Sequence, residues 1–144
     1  MSNFPKGRVL GVDAGTVRTG LAISDTDGFL ASALCTIKTS GLRALAEEIK
    51  VKALEYNARL IVLGHPINMN GTLGESSARI HKLSELISEI CDIPVVLFDE
   101  RCTTMVATNI LNMTDTRGKK RKAIIDNLSA EIILQNYLDA ERKR

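Results

Sequence analysis

Tryptophan is absent from this chain, and two tyrosines and three phenylalanines bring its aromatic share to only 3%. With so few rings, base stacking cannot dominate any recognition of nucleic acid, and backbone and shape contacts are the expected mode. Cysteine is equally sparse: Cys35, Cys91 and Cys102 are widely spaced and odd in number. That pattern suits neither a disulfide framework nor a zinc knuckle, His65 and His81 cannot supply the missing zinc ligands, and a reducing interior is expected. No apolar run approaches the length of a bilayer span, and Met1 to Arg8 lacks the apolar stretch of a signal peptide. A cytoplasmic protein with no membrane partner is expected. Excess charge of one sign is missing too, since 19 lysines and arginines face 17 aspartates and glutamates for a net +2. Any basic surface for nucleic acid must therefore be local.

What is present suffices for one core. A length of 144 residues with 44% hydrophobic composition points to a single domain over 1–144. Arg8 to Asp13 and Arg18 to Asp25 are apolar runs that read as a hairpin turned at Gly15, a residue that would also let the backbone approach a phosphate closely. A third strand from about Phe29 to Lys38 continues the meander. The period then changes. Leu42, Leu45, Ala46, Ile49, Ala53 and Leu54 recur at helical spacing over Gly41 to Asn57, with Ser40 as the expected N-cap. Arg59 to Gly64 reads as a strand buried on both faces, Gly74 to Cys91 as a helix, and Pro94 to Phe98 as a strand. Thr103 to Met113 reads as a further helix, Thr114 to Lys122 as a mobile polar loop, and Ala123 to Glu141 as a last helix. No internal repeat, low-complexity tract or linker interrupts the order βββαβαβαα.

A meander followed by two right-handed crossovers gives a mixed five-stranded sheet of order 3-2-1-4-5 flanked by helices. Strands 1, 4 and 5 then run the same way, and their C-terminal ends line the rim where ligands of open α/β sheets collect. Asp13, Gly64-His65 and Asp99-Glu100 would lie side by side there, with Arg18 at the start of strand 2. Three convergent carboxylates are a minimal means of holding Mg²⁺ or Mn²⁺ against a phosphodiester, and Asp13, Glu100 and Asp126 are the candidate set.

Each candidate has a second reading. Asp13 could cap turn amides. Side-chain alternation lets only one of Asp99 and Glu100 face a given side, and alternation alone does not choose. Asp126 shares a helical face with Ala130, Ile133 and Tyr137, so an acid there asks for a partner, although an early-helix carboxylate is also favoured by the dipole. His65 could act as a general base or hydrogen-bond the Pro66 to Gly71 loop, whereas His81 sits off its helix's apolar stripe and is expected at the solvated surface. Arg18 could bind a phosphate or pair with Asp13 or Glu100. The local basic cluster Arg117, Lys119, Lys120, Arg121 and Lys122 leads into Asp126 and is the expected nucleic-acid contact. Asn68, Asn70 and Thr72 are first a turn signal.

Four ordered motifs, VDAGTVRTGLAISD (Val12 to Asp25), GHPINMNGT (Gly64 to Thr72), DERCTT (Asp99 to Thr104) and KKRKAIID (Lys119 to Asp126), resemble the YqgF family, also called RuvX. Its members are described as candidate Holliday junction resolvases and pre-16S ribosomal RNA nucleases. The resemblance covers about Arg8 to Leu138. It implies a ribonuclease H-like fold and a metal-dependent nuclease. It also places the family's carboxylates on Asp13, Glu100 and Asp126, which favours Glu100 over Asp99. Precursor ribosomal RNA is then the favoured substrate and a branched DNA junction the alternative, with no obligate protein partner evident. Two rivals from other classes remain: a nucleotide-binding module, because Asp13 to Thr16 also resembles the phosphate turn of sugar kinases and actin-like ATPases, and a catalytically silent RNA-binding protein.

Overall fold

One mixed sheet organises the molecule, and its order follows from how the apolar segments are connected. The computed structural model describes residues 7–15, 17–65, 74–99 and 118–142, the side chains at 75–76 and 118–127 excepted. Strands β1 (Arg8–Ala14), β2 (Arg18–Ser24) and β3 (Ala31–Lys38) form the antiparallel meander. In the first turn the Gly15 N–H donates to the Arg18 carbonyl at 2.9 Å, and a Cβ on Gly15 would lie 2.4 Å from that oxygen. The turn itself therefore demands glycine. Helices α1 (Leu42–Glu55) and α2 (Glu75–Ile90) are the crossovers that bring β4 (Ala58–His65) parallel to β1 and β5 (Val95–Asp99) parallel to β4. The resulting order is β3-β2-β1-β4-β5, as the connections required.

Both sheet faces are covered, which is why β1 and β4 read as continuous apolar runs. On one face Leu10, Val12, Leu21, Ile61 and Leu63 meet Leu45 and Ile49 of α1 and Ile80, Leu83 and Ile87 of α2. On the other, Val9, Ala22, Leu60 and Val62 meet Ala130, Ile133, Leu134 and Leu138 of a last helix, α3 (Gly118–Arg142).

Three expectations need correction. Ser40 does not cap α1: Gly41 holds that position at φ 92, and no side-chain hydrogen bond closes the end. The positive φ is one that serine would adopt only with strain. Leu54 lies outside the buried stripe at 56% exposure, because the stripe of Leu45, Ala46, Ile49 and Ala53 already fills the face that meets the sheet. Finally, α3 begins at Gly118 rather than near Ala123, so Lys119 to Lys122 are helical and not loop. Lysine and arginine are good helix formers, and a run of them breaks periodicity without breaking a helix. The helix expected over Thr103 to Met113, and residues 114–117 of the expected loop, lie outside the described residues.

Helix α3 is seated closely on the sheet. Gly11 lets it close on β1, since a Cβ there would lie 2.8 Å from Leu134 Cβ and 3.3 Å from the Ala130 carbonyl oxygen. Further along, Gln135 accepts from Ala31 N–H at 2.9 Å and donates to the Phe29 carbonyl at 2.9 Å. Arg142 donates to the Gly28 carbonyl at 2.9 Å and stacks over the Phe29 ring. Helix α3 therefore runs antiparallel to β1, with its C-terminal end at the β2–β3 turn and its N-terminal half toward the opposite rim.

Candidate active site

The parallel strands β1, β4 and β5 end together at this rim, where His65 stands opposite Asp99 in the ladder and Asp13 is one residue from the end of β1. Alternation sorts these residues by face. Val9 packs under α3 and Gly11 touches it, so Asp13, half-buried, faces α3 as well. Val95 and Leu97 pack on the α1/α2 side and Val96 and Phe98 on the α3 side. Asp99 therefore continues toward α1 and α2, away from Asp13.

On α3, the buried stripe Ala130, Ile133, Leu134 and Leu138, with Tyr137 packed beside it, follows the expected periodicity. Asp126 is one turn before Ala130 on that face. Going from Ala130 to Asp126 advances about 6 Å toward the rim, and going from Gly11 to Asp13 advances about 6.6 Å. Because Ala130 lies over Gly11, the α3 backbone at position 126 and Asp13 sit at the same level of the rim. The earlier start of α3 also places Asp126 beyond the first helical turn, where the dipole has little hold on a carboxylate. Glu100 and Arg117 lie outside the described residues, as do the side chains of Lys119, Lys120, Arg121, Lys122 and Asp126. Among the described residues no group of three histidine, cysteine or acidic side chains could hold a metal. Of the candidate triad only the Asp13 side chain belongs to that set.

Arg18, half-buried, opens β2 on the α3 face, because Asp13 pairs with Gly20 and alternation returns to that face at Arg18. Its cross-strand partner is Lys38.

Comparison with known proteins agrees with this architecture. Residues 7–140 match the family described as RuvX, Holliday junction resolvase. A Thermoanaerobacter pseudethanolicus protein named "Putative pre-16S rRNA nuclease" is 42% identical over 95% of this chain and 99% of its own length. One of the same name from Bacillus licheniformis is 42% identical over 92% of this chain and 97% of its own. The chain belongs to the RuvX family. Among solved structures, Thermus thermophilus RuvC in complex with a Holliday junction substrate aligns at TM-score 0.58 and 15% identity, covering 94% of this chain and 95% of that one. The fowlpox virus resolvase with Holliday junction DNA aligns at TM-score 0.58 and 14% identity over 93% and 98%. At these identities the likeness establishes the ribonuclease H-like fold and nothing finer.

His65 in this RuvX-family chain lies on the face opposite Asp13. Its Nε2 shares a 2.6 Å hydrogen bond with Oγ of Ser77 on α2, a residue that is 1% exposed. His81, exposed as expected, nevertheless packs its ring edge-on to His65 with centroids 5.0 Å apart. Neither partner was legible in the sequence. Serine and histidine at i and i+4 on one helix are on one face, but nothing in the pattern tied that face to the end of β4.

Burial holds the His65 imidazole below its ordinary value of 6.5, His81 adds to the effect, and Asp99 opposes it. The folded chain thus favours neutral His65, and the unfolded chain binds more protons in the window below 6.5. Stability from this group is complete above that value and falls as the pH drops through the window. In thermal unfolding between about pH 7.5 and 5.5, His65→Gln is expected to lose less stability than wild type. Equal pH dependence of the two would contradict this account.

Proposed function

We propose that this RuvX-family chain is a divalent-metal-dependent nuclease that processes precursor 16S ribosomal RNA, with Asp13, Glu100 and Asp126 as metal ligands. The observation that carries the reading is that Asp13 faces α3 and lies level with the α3 backbone at position 126, which supports pairing these two acids at the rim. The family relationship, at 42% identity to proteins named "Putative pre-16S rRNA nuclease", supports the choice of substrate. Asp99 is turned to the other face by the packing of β5, which supports choosing Glu100 as the acid of that pair.

Carboxylate oxygens are hard donors that suit Mg²⁺ or Mn²⁺. When bound, such an ion supplies charge stabilisation at the phosphodiester and acidifies water. The chain's own contribution is placement. Rigid β1 holds Asp13, and the Gly11 contact sets the depth of α3 and so of Asp126. Arg18, Arg117, Lys119, Lys120, Arg121 and Lys122 hold the nucleic-acid backbone by charge. Replacing Lys119, Lys120, Arg121 and Lys122 together by alanine is expected to weaken binding of all sequences alike. The slope of log K against log salt should shrink by about 0.7 for each phosphate of single-stranded RNA that the variant no longer neutralises.

The deciding experiment sets labelled precursor 16S rRNA against a four-way DNA junction, with Mg²⁺, Mn²⁺ or chelator. Metal-dependent cutting of the RNA supports the reading. Cutting of the junction alone would move the substrate to branched DNA, as the family description has it, and cutting of neither would leave a binding role.

A further inference from the structure

We infer that Lys38, acting with Arg18, forms a phosphate clamp that carries an RNA strand from the acids across β1, β2 and β3 toward the β3 edge of the sheet. The inference takes its ligand from the nuclease reading above and adds a path and a residue to it. Its basis is an arrangement the fold does not otherwise need. Arg18 and Lys38 stand directly opposite one another in the β2–β3 ladder, and like charges in that relation destabilise a sheet. Among the described residues neither Arg18 nor Lys38 forms an ion pair. Two cations are thus held side by side with no described acid paired to either.

Their position gives the pairing a use. Both lie on the face that Asp13 occupies, since directly opposed residues share a face, and the other face at this end is taken by Ile37 and Cys35 in the α1/α2 core. Strands are about 4.8 Å apart, so Lys38 lies roughly 10 Å along the rim from β1. Arg18 is half-buried and Lys38 exposed, a gradation from a partly sheltered guanidinium next to the β1 rim to a solvent-facing ammonium at the margin. Guanidinium suits bidentate capture of one phosphate and ammonium suits a point-charge contact with the next. A polyanion crossing this row would relieve the repulsion that the free protein bears. The spacing also puts the contacts on the side of Asp13 away from β5, which gives the bound strand a direction.

The test is binding of a labelled single-stranded RNA oligonucleotide across a salt series, with thermal unfolding measured on each variant. Lys38→Ala is expected to lower the slope of log K against log salt by about 0.7 without lowering Tm, because it removes a repulsive charge and no packed group. Arg18→Ala should lower the slope similarly and the double variant by the sum. Lys50→Ala, on α1 behind the opposite face, should leave it unchanged. Lys38→Gln provides a second variant of similar length. A Lys38→Ala slope equal to that of Lys50→Ala overturns the clamp, as does absence of RNA binding by wild type. Parallel cleavage assays keep the two proposals separate. A reduced slope with no wild-type cleavage removes the nuclease and leaves the clamp, and cleavage with an unchanged slope does the reverse.

Discussion

Asp13→Asn is expected to lower metal-dependent cleavage by at least about 100-fold, because loss of outer-shell partners alone commonly costs 10- to 100-fold and Asp13 is proposed as a direct ligand. The substitution preserves shape and one carbonyl oxygen while removing the charge that a hard cation requires. The fold should survive it. Asp13 sits at the strand end, half-buried and outside both apolar clusters, and if it converges with Glu100 and Asp126 as proposed, removing one of the three charges would relieve mutual repulsion. RNA binding should also persist, since the cations proposed to hold the backbone are untouched. Three measurements check this together: single-turnover cleavage with Mn²⁺, RNA affinity, and Tm. Wild-type cleavage by Asp13→Asn would sink the metal-ligand assignment, whereas a large fall in Tm would show that Asp13 acts through the fold.

Sequence pattern reached the sheet and stopped short of its fine register. The order 3-2-1-4-5 was legible because each apolar segment announces its own period and the crossovers leave few right-handed topologies. The face of Asp99 was not, since alternation needs an anchor, and the anchors are Val95 and Leu97 against α2. The His65–Ser77 hydrogen bond joins residues across a crossover, beyond any local pattern. Lys38 shows the limit most clearly. Counting back from the Ser24–Ala31 pair would set Lys38 opposite Val17, but a register shift between Leu21 and Ala22 moves its partner to Arg18. A bulge inserts one residue and flips every side chain after it to the other face. The helical start at Gly118 was missed for a simpler reason: a run of cations has no apolar period to read, yet carries ample helix propensity.

Gly11→Ala is expected to destabilise the protein by about 1–3 kcal/mol, the usual cost of overpacking a well-filled core, read as a lower urea midpoint at unchanged m-value. Propensity argues the opposite sign, because glycine is the poorer strand residue. Sterics should win. The new Cβ would lie 2.8 Å from Leu134 Cβ, an atom fixed to the helix backbone that no rotamer change can withdraw. The only relief is an outward movement of α3, which would strain the Gln135 hydrogen bonds to Ala31 and Phe29. Such a movement also raises the helix that carries Asp126 away from Asp13, and positioning chemistry of this kind is sensitive to displacements of about 1 Å. Gly11→Ala should therefore lose cleavage even at temperatures where it remains folded, and Gly11→Val, with two more methyl groups directed at α3, should lose more of both. An unchanged or raised midpoint in Gly11→Ala would mean that α3 does not bear on β1 as closely as the contact requires.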